Sequence, residues 1–191
     1  MKNFDQFSDN ELVTMSLKDR EVFSQIIERY QNKIYRYIKR ISSFSDDYVN
    51  DILQEVFIKT YINLNNFDIS LKFSSWLYRI AHNETISFVR KNKKHIESTL
   101  FPDDSMSEFV ADIHIEKQHI ESEHSKIVQQ AIKSLPQKYQ DVLILKYFEY
   151  KSYDEISDII QKPPGTVATW INRAKQGVEK FLREHQYQEY E

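Results

Sequence analysis

Apolar side chains recur at helical spacing along most of this chain. Phe23, Ile26, Ile27, Tyr30, Ile34, Ile38 and Ile41 trace one long stripe, flanked by Tyr35 and Tyr37, which predicts a long helix packed against another that starts near Asp46. In that second helix Leu53, Val56, Phe57, Thr60, Tyr61 and Leu64 form the face to be buried, and Asp51, Gln54, Glu55 and Lys59 form a mostly acidic face. A polar loop with an aromatic in it, Asn65, Asn66, Phe67, Asp68 and Ser70, leads to a third helix that buries Phe73, Trp76, Leu77, Ile80 and Ala81. At about 100° per residue its outward side runs Arg79, His82, Asn83, Ser87, Arg90, Lys91 and Lys94, growing basic toward the C-terminal end. Ser8 and Glu11 make a capping box ahead of LVTMSL, so a short helix is expected there.

After Lys94 the pattern lapses. Between Glu97 and Glu123 the acids Glu97, Asp103, Asp104, Glu108, Asp112, Glu116, Glu121 and Glu123 face a single base, Lys117. Residues 96–124 read as an acidic linker, partly helical at its C-terminal end, where Ser105 and Glu108 offer a cap. Helical spacing returns with Val128, Ala131, Ile132 and Leu135. Ser134, Pro136 and Gln137 then open a helix that buries Tyr139, Val142, Leu143 and either the Lys146 stem or Tyr147. Ser152 and Glu155 make another capping box, with Ile156, Ile159 and Ile160 inward. Pro163, Pro164 and Gly165 interrupt the helix, and a new one from about Thr166 buries Val167, Ile171, Ala174, Val178 and Leu182. Helix, tight turn, helix with this phasing is a helix-turn-helix. The expected architecture is all-α: small helical domains at 1–95 and 125–185, the acidic linker between them, and a tail at 186–191.

Composition narrows the function. With 2 Gly and 4 Pro among 191 residues, long helices meet few interruptions. The absence of cysteine removes disulfides and thiolate zinc sites. His114, His119 and His124 fall at i, i+5 spacing, which places successive rings about 140° apart on a helix and keeps them from converging on one ion. No Gly-rich phosphate loop, cysteine nucleophile or His/Asp metal spacing occurs, so neither an enzyme nor a cofactor is expected. The start, MKNFDQFSDNELV, lacks a signal-peptide core, and no run of about 18 apolar residues exists, so a cytoplasmic chain without membrane insertion is expected. A net charge of −3 argues against a general nucleic-acid binder, but the charges are sorted. From Lys162 to Arg183 the bases Lys162, Arg173, Lys175, Lys180 and Arg183 oppose one acid, Glu179. Phosphate contacts from such bases supply affinity. Base reading falls to outward residues early in the last helix: Thr166, Ala168, Thr169, Asn172 and Arg173.

The run DILQEVFIKTY followed by FSSWLYRIAHNETISFVRK resembles region 2 of bacterial sigma factors of the extracytoplasmic-function (ECF) group. Leu135-Pro136, the SYDEI opening, and Pro164, Thr166 and Val167 with Arg173 and Ala174 downstream resemble region 4. The likeness runs from about Glu21 to Leu182. It implies that Asp51, Gln54 and Glu55, with Lys59 beside them, dock on the clamp helices of core RNA polymerase. It also implies that the loop at Asn65–Ser70 and the helix from Phe73 open the minus-ten element of promoter DNA. Asn66, Phe67, Asp68, Lys72, Trp76, Tyr78 and Asn83 would offer polar groups and flat surfaces to an unstacked base, with Phe67 alternatively a core anchor. Arg79, Arg90 and Lys91 would hold phosphates, and the helix-turn-helix, Lys175 included, would bind the minus-thirty-five element. The acidic linker would lie in a basic polymerase channel. An anti-sigma factor, membrane-anchored or not, is the implied regulator. The chain departs from the family at Ala168 and Trp170, where basic residues are common. A different reading is a stand-alone helix-turn-helix regulator, with residues 1–95 for dimerisation or ligand binding.

Overall fold

The computed structural model describes residues 4–96 and 121–185, with the side chains at 92–96 and 121–125 excepted. The Ser105–Glu108 cap, His114, His119 and most of the acidic run lie outside the described residues, and His124 is described by its backbone alone. Among those described, the regular elements are all helical, and the chain divides into two compact units.

The first unit opens with α1 (Asp9–Ser16). Its expected capping box is present: the Ser8 backbone N–H donates to Glu11 Oε2 at 2.7 Å and the Glu11 N–H donates to Ser8 Oγ at 3.3 Å. A helix this short is unstable alone. It is held by burial of Leu12 and Val13 and by Asp9, which accepts from Arg29 at 2.8 Å and from the Tyr30 hydroxyl at 2.5 Å. A 3-10 turn (Arg20–Val22) leads into α2 (Phe23–Ser42), whose stripe of Phe23, Ile26, Tyr30, Ile34, Ile38 and Ile41 is buried as its spacing predicts. α2 ends on Ser43 in the left-handed region, φ 56°. Helix α3 (Asp46–Ile62) follows, with Lys39 reaching across to Asp46. A second 3-10 turn (Leu64–Asn66) and the loop lead to α4 (Phe73–Ile96).

Helix α4 packs against both α2 and α3, so its buried arc is wider than a single stripe. That corrects two expectations. Tyr78, taken for a surface aromatic, is 3% exposed, with its ring centroid 5.0 Å from that of Tyr37. His82, placed on the outward side, is largely enclosed and its Nδ1 lies 3.1 Å from the Tyr37 hydroxyl. The inward face of α3 is likewise turned from the expected one. Val49, Ile52, Val56, Phe57 and Thr60 are buried, whereas Leu53 is half-buried and Tyr61 exposed.

The helices that follow are α5 (Glu121–Lys133), α6 (Gln137–Leu143), a π-helical turn (Ile144–Phe148), α7 (Tyr153–Ile160) and α8 (Pro164–Glu184), and the second unit takes all of them but Asp158–Ile160. Helix α8 packs on α5 and α6 around Ile132, Leu143 and Ala174, with Leu135, Tyr139, Phe148 and Val178 at the edges. Gly177 permits the approach of Leu135, whose Cδ2 would lie 2.5 Å from a Cβ placed there. The Ser134–Gln137 cap does not form. Pro136 is the N-cap with no side-chain bond, Ser134 Oγ donates back to the Ala131 carbonyl at 2.7 Å, and Gln137 donates to Asp141 at 2.8 Å. Gln140 does the local work instead, donating to the Leu135 carbonyl at 2.7 Å.

The π turn also changes what is buried. Val142, Leu143, Ile144 and Leu145 are consecutive core residues, which a regular helix would spread around more than one face. Tyr147, expected inside as one of two options, is 45% exposed. The second capping box forms as expected, Ser152 N–H donating to Glu155 at 2.8 Å. Helix α7 ends on Gln161 at φ 55°. Helix α8 then starts at Pro164, two residues before the expected Thr166, because proline fits the first helical position.

Candidate functional site

The outward face of α3 presents Asp51, Gln54 and Glu55 to solvent. Lys59 differs from them. Its ammonium donates to Glu84 on α4 at 2.6 Å and lies 3.5 Å from Glu55, and the Glu84 bond holds its pKa above the usual lysine value. Lys59 thus ties α3 to α4 while leaving Glu55 with a neighbouring positive charge.

Beside this face runs a groove of about 460 Å³ between α2 and α3, lined by Phe23, Ile27, Leu53, Phe57, Ile58, Tyr61 and Ile62, with Gln54 on its wall. Ile58 and Ile62 are 44% and 66% exposed. They are absent from the sequence-based site, although apolar residues at i, i+4 outside the buried stripe were the signal for them.

The loop between α3 and α4 is fastened from beneath. Phe67 is buried, edge-on to Phe73 at 5.5 Å and 5.2 Å from the Trp76 ring. It acts as the anchor, the second of the two roles expected of it. Asn66, Asp68 and Lys72 are exposed. Asp68 accepts the Ser70 backbone N–H at 2.9 Å, a bond that lowers its pKa. On α4, Trp76, Arg79, Asn83 and Arg90 follow at i, i+3, i+7 and i+14, one side of a helix. Trp76 and Arg79 are half-buried, and Asn83, Arg90 and Lys91 are exposed. Tyr78 points away from this side into the core.

On α8, Thr169, Asn172, Arg173 and Lys175 are exposed, and Thr166 and Ala168 half-buried. Thr169 Oγ1 donates to its own helix at the Gly165 carbonyl, 2.8 Å. The Lys175 ammonium sits 5.6 Å from the Tyr147 ring centroid, and the tyrosine hydroxyl raises its pKa. Trp170, one of the positions lacking the family's charge, has the Lys138 ammonium 5.6 Å from its ring centroid. A cation from α6 therefore stands over the uncharged position of α8.

Two family descriptions match these units: Sigma-70 region 2 over residues 26–95 and Sigma-70, region 4 over residues 125–176. The ECF RNA polymerase sigma factor SigW of Bacillus subtilis (strain 168) is 38% identical over 172 residues, covering 87% of this chain and 91% of that protein. The chain is an ECF sigma factor. It belongs with the alternative sigma factors that direct RNA polymerase to promoters, and the stand-alone regulator reading is set aside. The RNA polymerase sigma-H factor of Pseudomonas aeruginosa is 32% identical over 187 residues, 93% of this chain and 95% of that one. Among solved structures, CnrH in complex with the cytosolic domain of CnrY shares the fold with a TM-score of 0.69 at 18% identity, covering 92% of this chain and 97% of that one. The sigma factor RpoE in complex with the anti-sigma factor NepR, from Bartonella quintana, does so at 0.64 and 20% identity, covering 84% and 96%. No described helix of this sigma factor is long and apolar enough to cross a membrane.

Proposed function

We propose a division of labour among the surfaces of this sigma factor. Residues 1–95 dock on core RNA polymerase through Asp51, Gln54 and Glu55 and the adjoining apolar groove, and open the minus-ten element with the loop and α4. Asn66, Asp68, Lys72, Trp76 and Asn83 meet the unstacked base, and Arg79, Arg90 and Lys91 meet phosphates. Residues 125–185 bind the minus-thirty-five element. Thr166, Thr169, Asn172 and Arg173 face bases there, and Lys175 and Lys138 face the backbone. The acidic linker at 96–124 lies in a basic channel of the polymerase, where it is drawn by charge and kept off DNA.

The observation that carries this reading is the separation of two faces on one helical unit. The α2–α3 groove has the amides of Gln31, Asn50 and Gln54 among its apolar walls, and Asp51 and Glu55 are exposed on the same helix α3. The polar and basic side of the loop and α4 is a different surface, so one unit has room for polymerase and DNA together. The CnrH and RpoE structures hold partner proteins, and an anti-sigma factor competing for the groove fits the same arrangement. The protein acts in the cytoplasm, with the polymerase.

The deciding experiment is transcription in vitro from candidate promoters with and without added core enzyme. Promoter-specific transcripts should require both proteins. Tight sequence-specific duplex binding by the isolated chain, with no effect on the polymerase, would overturn the proposal.

A further inference from the structure

The loop between α3 and α4 carries two exposed apolar side chains, Ile69 at 57% and Leu71 at 53%. Burial of those side chains therefore does not set the loop's path. Its own hydrogen bonds are short-range: Ser70 N–H to Asp68 Oδ1 at 2.9 Å and Leu71 N–H to the Asp68 carbonyl at 3.0 Å. Phe67 fastens the start of the loop against Phe73 and Trp76, and its far half, Ile69 to Leu71, is held from α1. Asn10 Nδ2 lies 2.7 Å from the Ile69 carbonyl and 3.1 Å from the Leu71 carbonyl. A primary amide has two protons on one nitrogen, so it can donate to both oxygens at once.

The donor is itself fixed. Its neighbour Asp9 is held by Arg29 and Tyr30 of α2, and the Tyr30 ring stands edge-on to Phe73, the first residue of α4, at 6.0 Å. Asn10 thus refers the loop to the same helix against which the start of α4 is packed.

We infer that Asn10 is a positioning residue for promoter opening, holding the Ile69 and Leu71 carbonyls so that the loop meets the minus-ten element in one conformation. This rests on the loop being the promoter-opening element. Asn10 touches no DNA in this account. Its effect passes through the backbone of the loop, and it has no part in polymerase docking.

The test compares Asn10→Ala and Asn10→Leu with Asp68→Ala and Ile69→Ser, each as full chain assembled with core polymerase. Three readouts are taken: affinity for the core enzyme, the rate of promoter opening reported by 2-aminopurine in the minus-ten element, and the rate ratio between promoters differing at single minus-ten bases. Both Asn10 variants should bind core enzyme as the parent does, open the promoter about tenfold more slowly and lose base discrimination. Adding Asn10→Ala to Ile69→Ser should slow opening less than the two effects multiplied, because both act through one loop. Loop variants that impair opening beside Asn10 variants that do not would overturn the inference alone. Asn10 variants that lose core binding and opening in equal measure would make Asn10 a general structural brace and overturn it too. Loop variants without effect would remove the underlying reading of the loop and the inference with it.

Discussion

The Tyr37 hydroxyl and His82 Nδ1 meet 3.1 Å apart between α2 and α4. Burial pushes the His82 pKa down to about 4, below the ~6.5 of an exposed imidazole. As pH falls the unfolded chain takes up the proton first, so stability is intact above about 6.5 and drains away toward about 4. The full loss is about 3 kcal/mol. Urea unfolding of a Trp170→Phe chain, followed by Trp76 fluorescence between pH 7 and 4.5, should show this slope, and His82→Gln should flatten it. Identical pH dependence in both chains would show that His82 titrates normally.

Glu55 and Asn83 should separate two steps of initiation. Glu55→Lys places a positive charge beside Lys59, 3.5 Å from the present carboxylate, and, on the proposed docking, against a basic polymerase surface, where like charges cost more than a lost rim pair. It should leave the circular dichroism spectrum and unfolding midpoint nearly unchanged and abolish co-purification with core enzyme. Asn83→Ala should retain co-purification and slow promoter opening. Loss of both activities by Asn83→Ala would indicate misfolding of that variant.

Phe73 and Trp76 share one aromatic cluster, with ring centroids 5.8 Å apart, but not one environment. Phe73 is 1% exposed, so Phe73→Ala should cost about 3–5 kcal/mol. Trp76 is half-buried, and Trp76→Ala should cost less, about 1–3 kcal/mol. Denaturant midpoints measure both. The reverse ranking would mean that the cluster is organised around the tryptophan.

Lys138, over Trp170, offers a charge where α8 has none. Lys138→Gln should weaken holoenzyme binding to all promoters alike and reduce the slope of log affinity against log salt by about one. Asn172→Ala should instead change the ranking of promoters. An unchanged salt slope in Lys138→Gln would place that lysine off the DNA.

Where burial follows from one helical face, the sequence is a sufficient guide. The α2 stripe and the Ser8–Glu11 and Ser152–Glu155 boxes depend on neighbours within a few turns, and they appear where the spacing places them. Tyr78 and His82 are enclosed because α4 has a neighbour on each of two sides, a tertiary fact that one hydrophobic period does not encode. The run Val142–Leu145 fits no helical period until the wider turn is known. Phe67 could be anchor or surface on pattern alone, and its burial decides. Asn10 meets the loop from 59 and 61 residues away, with no local signal at all. Lys138 has no local signal either, since Trp170 is distant from it in the chain.

The turn between α7 and α8 bends at Gln161, φ 55° and ψ 50°, where helices commonly use glycine. Ser157 closes it, its hydroxyl donating to the Lys162 carbonyl at 2.5 Å. An L-residue has one narrow basin on that side of conformational space, whereas glycine roams widely. The joint therefore behaves as a set square, and α8, if it reads DNA as proposed, would reach its groove already aimed, with little orientational freedom left to surrender on contact.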